Sequence, residues 1–498
     1  MKEKSYKNKD SDEYWENVYY IYKQLEGLYD GYLKLAEEEE KFTFLELIIF
    51  SLVLSDSTDA MYYQEPESIP NFYEMNIEDV KRFISLKSHC SAIIKLAEDF
   101  SDIWFGHNMW ATYTSMIRIF KEYRFISNKG NEKSKTIVFS SYPGTLASLD
   151  DFYILDSKLL VMETTNANFN NSLYQFIKPE ALLTWVRAMV SNRLASSAEE
   201  WTNIFKKENS GTYNNQFMIL DINKIDLKNK TIPQKSLMII EQIPGDFEIN
   251  NVSNKLKEGY WPSYNVPYSK NFYQKCGYEN LIQYNRNYIL EINYDYCSRA
   301  QIFKRDQNTV KSSNDLKKLL RYNNYRYDNY SCKYPTLTLA CRSDLIEGNY
   351  SYCFGATDVK FVSVKELLEG KFYAHIISGP TNDQQPTFSW SNTTCNKSNP
   401  EKWYLDGLID TWNFDWVDYK IQFFEFSKKV DGDDKDSDNK VLIICLCIGC
   451  FILIINIVII IFCIRNKLRS DNLNENISQI VPQDDDKDKL DVKKEEFI

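Results

Sequence analysis

The sequence predicts an α+β body of stacked layers, followed by a single transmembrane helix. Short runs rich in β-branched and aromatic residues alternate with segments whose apolar residues recur at three- and four-residue steps. No internal repeat interrupts this mixture. The run 441–464 contains no charged residue and, at about 1.5 Å per residue, is long enough to cross roughly 30 Å of hydrocarbon.

Composition bounds the function classes. The chain has 498 residues, 43% of them hydrophobic and 15% aromatic, enough to bury one large core. The formal charge of -11, without a basic stripe, excludes nucleic acid as a partner, because phosphate binding needs clustered Lys and Arg.

The amino-terminal segment 1–89 reads as helical. Val18, Ile21, Tyr22, Leu25, Leu28, Tyr29, Tyr32 and Leu35 form an apolar stripe that should pack on the body. Phe44 to Leu54 is too short for a membrane span and contains Glu46, so it reads as a buried helix. The first residues, Met1 to Lys7, are polar and charged, with no apolar signal core behind them. An amino terminus missing from the sequence as given is the favoured explanation.

The body, 90–427, starts with a strand pattern. Ser91 to Leu96, Ile103 to Phe105, Thr136 to Phe139, Phe152 to Leu155 and Leu159 to Glu163 read as strands, as do Gln216 to Ile222 and Ser236 to Gln242. Thr112 to Tyr123, Pro179 to Leu194, Ala198 to Lys206 and Ser313 to Arg321 read as helices. Five Asp among residues 431–439 mark 428–440 as a solvated linker, and 465–498 as a polar tail.

Basic residues flank the apolar run on both sides, so charge does not orient it. The sequons at Asn170, Asn229, Asn251, Asn329, Asn349, Asn392 and Asn396 precede it and favour a glycosylated lumenal body. That body would be lysosomal, endosomal or extracellular, on a single-pass membrane protein anchored through 441–464. Cys332, Cys341, Cys353 and Cys395 cluster in a polar stretch, which suits disulfides in an oxidising compartment; the pairing stays open. The only Cys-x-x-Cys, Cys447 to Cys450, has no second pair, so no metal site is expected.

Only three histidines, His89, His107 and His375, are available for a conventional triad. A nucleophile that carries its own base avoids that need. If the bond between His89 and Cys90 is cut, one residue holds both a thiol and an α-amine of pKa roughly 8 that can accept the thiol proton. No cofactor is required.

Several segments also bear a family resemblance. They are His89-Cys90-Ser91-Ala92, Val138-Phe139-Ser140-Ser141-Tyr142-Pro143-Gly144, Asp150-Asp151-Phe152-Tyr153-Ile154-Leu155 and Glu163-Thr164-Thr165. Asn209-Ser210-Gly211-Thr212-Tyr213-Asn214-Asn215-Gln216, Glu241-Gln242-Ile243-Pro244, Tyr260-Trp261-Pro262-Ser263-Tyr264-Asn265 and Arg299-Ala300-Gln301-Ile302-Phe303 follow in order. Together they make the chain, from about 25 to 419, resemble the phospholipase B-like (lamina ancestor) family.

The resemblance implies a four-layer αββα N-terminal nucleophile hydrolase fold. It makes Cys90 the nucleophile, exposed by autocatalytic cleavage after His89, with His107 beside it. Trp110 and Thr165 would line the substrate pocket, Asn214 or Asn215 would donate to the oxyanion, and Arg299 would hold an anionic group or set the site's electrostatics. The expected function is hydrolysis of amide or ester bonds in lipid-like acyl substrates, with the amino-terminal fragment still packed on the body as a partner. The alternative is a catalytically inactive, membrane-anchored binding or adhesion protein on the same scaffold.

Overall fold

Runs of Ile, Val, Leu and Phe with side chains alternating between two faces build two antiparallel sheets, and that alternation places the layers. The computed structural model describes residues 1–52, 54–87, 89–127, 130–393, 395 and 409–422. All belong to one unit, Met1–Phe424. The expected linker 428–440, apolar run 441–464 and tail 465–498 lie outside the described residues.

In chain order the strands are β1 (Cys90–Leu96), β2 (Ile103–Thr112), β3 (Ile119–Arg124), β4 (Thr136–Ser141), β5 (Tyr153–Leu155), β6 (Leu159–Thr165), β7 (Asn215–Asp221) and β8 (Leu237–Ile243). They continue with β9 (Asp246–Asn251), β10 (Tyr260–Ser263), β11 (Phe354–Ser363), β12 (Tyr373–Ser378), β13 (Phe388–Ser389), β14 (Thr411–Trp412) and β15 (Val417–Lys420). The first sheet runs β10-β1-β2-β11-β12-β15, and the second is a meander from β3 to β9. A small β13-β14 pair stands apart from both sheets.

Because successive side chains point to opposite faces, each strand feeds two cores. On β1, Ala92, Ile94 and Leu96 meet Leu160 and Met162 of β6 and Met218 and Leu220 of β7 between the sheets. Ile93 points the other way, into a cluster with Phe272, Leu281, Phe303 and Leu316 from helices on the outer face of the first sheet. On the far side, Leu159 and Val161 of β6 pack against Val18, Ile21, Trp185 and Trp201. Helices, sheet, sheet and helices therefore stack in that order.

The amino-terminal helix Glu13–Leu35 begins at Asp12, whose carboxylate caps Tyr14 N at 2.8 Å and Trp15 N at 3.4 Å. Val18, Ile21 and Leu25 are buried on the second sheet's outer layer, each worth about 2 kcal/mol of apolar burial. The stripe then leaves the body, and Leu35 is 88% exposed.

Four expectations are corrected. Thr112 to Tyr123 is not a helix: β2 ends at Thr112, and β3 (Ile119–Arg124) pairs with β4 at the sheet edge. The predicted helix from Pro179 starts only at Thr184. The helix Phe44–Leu52 is not buried as a whole, since Leu45 is 64% exposed. Among the described residues no helix is long and apolar enough to cross a membrane. The single-pass localisation, which rested on 441–464 alone, is therefore not supported. Of the clustered cysteines, Cys353 and Cys395 are bonded, whereas Cys332 and Cys341 are free thiols.

Candidate active site

Cys90 opens β1 on the face shared by Ala92 and Ile94, so its side chain enters the layer between the sheets. It is fully buried, with Met109 of β2 opposite. The Sγ lies 3.6 Å from Met109 Sδ and 4.0 Å from Glu163 Oε1 of β6. One residue earlier, the His89 carbonyl accepts a hydrogen bond from Trp110 N–H, extending the ladder to the bond before Cys90. Burial, reinforced by the Glu163 carboxyl, pushes the thiol well above its ordinary value. In the intact chain Cys90 is thus a protonated, weak nucleophile. Burial, helped by the nearby Lys87, holds the His89 imidazole down at about 4 and therefore neutral near pH 7.

Arg299, from the helix Ser298–Asp306, fixes this end of β1. Its Nη1 donates to the Cys90 carbonyl at 2.6 Å and to Asn265 Oδ1 at 2.7 Å, while Nη2 donates to the Tyr264 carbonyl at 2.6 Å. The guanidinium lies 4.4 Å from the Trp110 ring centroid, and the Trp110 indole N–H donates to Leu339 O at 3.2 Å. Arg299 and Trp110 therefore sit together behind the nucleophile, and the guanidinium is taken up by protein acceptors.

Glu163 joins the remaining candidates. The Tyr213 hydroxyl donates to its Oε1 at 3.0 Å. Asn215, with its amide nitrogen turned toward the carboxyl, donates to Glu163 Oε2 at 3.2 Å and to Asn214 O at 3.0 Å. His107 Nε2 faces the Glu163 carbonyl at 3.0 Å. Burial, with Lys360 adding to it, depresses that imidazole and keeps it neutral. Asn214 Nδ2 is directed to Gly211 O at 3.0 Å and Asp59 Oδ2 at 3.3 Å. Both asparagine amides thus donate to internal acceptors while the chain is intact.

A cavity of about 640 Å³ opens beside this cluster, with His89, Met109, Thr165 and Asn214 in one wall. That volume is typical of small-molecule sites. Trp110 and Arg299 are not in its lining, so the structure brings Thr165 to the cavity and leaves Trp110 behind it. A larger cleft of about 1000 Å³ near Tyr268 and Asn271 contains none of these residues. It is the less relevant of the two, because none of the candidate catalytic residues lines it.

Sequence reasoning passed over a buried charge cluster that ties the sheets together near the site. Lys360 on β11 donates to Asp150 and, at 2.9 Å, to Asp358. Arg118 donates to Asp150 at 2.6 Å and lies 3.2 Å from Asp358. Against the cost of burial, Arg118 and then Lys360 hold Asp150 well below the carboxylate range. Asp150 stands in a segment that carries the family resemblance. Lys360 and Arg118 had no local signal, since only the fold pairs them with it.

Of the sequon asparagines, Asn229, Asn251, Asn329 and Asn392 are exposed. Asn170 caps the turn at Ser172 and donates to Lys275 O at 2.8 Å. The side chain of Asn349 and residue Asn396 are outside the described set.

The comparisons with known proteins agree on the family. The Phospholipase B family profile matches residues 1–419. Phospholipase-B 81 of Drysdalia coronoides is 40% identical over 418 residues, covering 83% of this chain and 73% of its own. Phospholipase B-like 1 of Rattus norvegicus is 39% identical over 422 residues, covering 84% and 72%. Phospholipase B-like protein B of Dictyostelium discoideum is 37% identical over 416 residues, covering 82% and 70%. Among solved structures, two variants of conjugated bile acid hydrolase from Clostridium perfringens match at TM-scores of 0.31 and 0.32 and identities of 12% and 14%. They cover 58% and 67% of this chain and 89% and 97% of theirs, a likeness too low to carry an argument. A profile that spans residues 1–419, and relatives this similar along most of their length, leave one assignment: the chain belongs to the phospholipase B family.

Proposed function

We propose that the chain is a lipid hydrolase that cuts its own His89–Cys90 bond and then uses Cys90 as an N-terminal nucleophile. The observation that carries this reading is the position of Cys90. It is a buried thiol at the first residue of β1, with the preceding His89 in the wall of a cavity and its own carbonyl held by Arg299. The α, β, β, α stacking is the arrangement such hydrolases are expected to have.

In the processing step the thiol gives up its proton, and Sγ attacks the His89 carbonyl carbon. The C–N bond breaks as nitrogen takes a proton, leaving a thioester on Cys90. Water then cleaves the thioester, releasing a carboxylate on His89 and a free thiol and α-amine on Cys90. Glu163, within 4.0 Å of Sγ, is the polar group placed to receive the thiol proton. The amino-terminal segment stays packed through Val18, Ile21 and Leu25.

In turnover the α-amine accepts the thiol proton, and the thiolate attacks the acyl carbonyl of an ester or amide. Collapse of the tetrahedral intermediate expels the alcohol or amine, which takes a proton from the α-ammonium. Water then resolves the acyl-enzyme. Arg299 positions Cys90 through its backbone carbonyl, and Thr165 contacts the substrate. The test is hydrolysis of a panel of acyl esters and amides by wild type and Cys90→Ala. Turnover lost in the variant supports the reading; equal turnover would end it, and no turnover by fully processed wild type would favour a binding role.

A further inference from the structure

The residues upstream of the proposed cleavage bond contribute more than a fragment left behind. Asp59, Tyr62, Phe83, Leu86 and Lys87 form part of the wall of the same cavity that His89 and Thr165 line. The helix carrying Lys87, Ile77–Lys87, is anchored by Val80 and Ile84 in the core cluster on the first sheet, so the wall does not depend on an intact His89–Cys90 bond. Leu86, Phe83, Met109 and Phe354 make much of the lining apolar.

Lys87 is the anomaly in that lining. Its ammonium lies 5.6 Å from the Tyr62 ring centroid and 6.0 Å from that of Phe83. Among the described residues no carboxylate comes within ion-pair distance of it. Asp59, the acid that acts on it, is instead engaged by Tyr213 N at 2.9 Å and by Asn214. Burial pulls the ammonium below its ordinary value, and Asp59 only partly opposes this. A half-buried cation without a paired anion is costly, and an anion arriving in the cavity would offset that cost.

We propose that Lys87 is an anion subsite of this cavity, and that the ligand is a single-chain acyl compound with a carboxylate or phosphate close to its scissile carbonyl. The inference rests on the hydrolase reading for what the cavity does, and on geometry for where the anion sits. Lys87 lines the same cavity as His89 and as Met109, which pairs with Cys90 across the β1–β2 ladder, and this places the anion at the reacting end of the ligand. A cavity of about 640 Å³ lies within the range of small-molecule sites, on the scale of one acyl chain and a compact head.

The experiment measures binding to the full chain by calorimetry, with N-dodecanoylglycine, dodecyl phosphate and the neutral N-dodecanoylethanolamine, for wild type, Lys87→Met and Lys87→Arg. The expected result is an anionic-to-neutral preference of about tenfold or more in wild type, the size of a hydrogen bond to a charged group in a partly buried site, retained by Lys87→Arg and reduced to near unity in Lys87→Met. Preference for the glycine conjugate alone would assign the anion to a carboxylate, and for dodecyl phosphate alone to a phosphate. No preference in wild type, or one that survives in Lys87→Met, overturns the proposal. Hydrolysis of the glycine and ethanolamine conjugates is followed in parallel. Equal turnover of both, insensitive to Lys87, would sink the subsite and leave the hydrolase reading standing. Anion-selective binding without Cys90-dependent turnover would do the reverse.

Discussion

Replacing Arg299 by Met should unseat the nucleophile without touching it. The guanidinium supplies hydrogen bonds to the carbonyls of Cys90 and Tyr264 and to Asn265 Oδ1, all buried. Met fills much of the same volume but donates nothing. Each orphaned buried acceptor costs about 1 to 3 kcal/mol, and removing one side of a buried charged network costs about 3 to 5 kcal/mol. The loss is therefore expected at about 3 to 5 kcal/mol, read by urea denaturation near neutral pH. Arg299→Lys keeps the charge but cannot hold three acceptors in a fixed fork, so it should fall between the two. Processing at the His89–Cys90 bond, followed by intact mass, should slow in the same order, because the Cys90 carbonyl loses its anchor. An Arg299→Met protein within about 1 kcal/mol of wild type that is processed at the wild-type rate would refute this assignment of Arg299.

Two further expectations concern stability. Burial raises Glu291 from 4.5 to about 7, so the native state holds this proton more tightly than the unfolded chain. Its stabilising contribution is full below about 4.5 and disappears as pH rises through about 7, roughly 3 kcal/mol in all at about 1.36 kcal/mol per pKa unit. Glu291→Gln should therefore gain stability on wild type between pH 5 and pH 8, and a stability difference independent of pH would contradict this. Breaking the Cys353–Cys395 bond, which closes a separation of 42 residues, should cost about 4 kcal/mol by loop entropy. Comparing Cys353→Ala/Cys395→Ala with the oxidised parent by urea denaturation checks that value, and an unchanged midpoint would contradict it.

How much of this was legible in the chain depended on whether the signal was local. The strands that became β1, β4, β6, β7 and β8 announced themselves because both faces are buried between layers, giving dense runs of Ile, Val, Leu and Met. β3 did not: it is an edge strand with partly exposed side chains, and its mix of Ile119, Phe120 and Tyr123 with Lys121 and Glu122 imitates a helix face. The helix Ile77–Lys87, which supplies cavity wall, was not singled out, because lining a cavity leaves no trace in periodicity. At the site, the segments bearing Cys90, Glu163, Asn214 and Arg299 stood out, yet the sequence could not say what each touches. Arg299 faces the Cys90 carbonyl, not the cavity, and the Asn214 amide nitrogen is directed to Gly211 and Asp59. Lys360 of β11 meets Asp150 only because the two sheets face each other, and Arg118 reaches the same carboxylate from just ahead of the edge strand β3.

The most direct measurement is intact mass combined with amino-terminal sequencing of the expressed full chain, wild type beside Cys90→Ala. The account predicts a wild-type fragment that begins at Cys90 and an uncut variant. A wild-type chain that stays intact, a cut at another bond, or cleavage that persists in Cys90→Ala would contradict it.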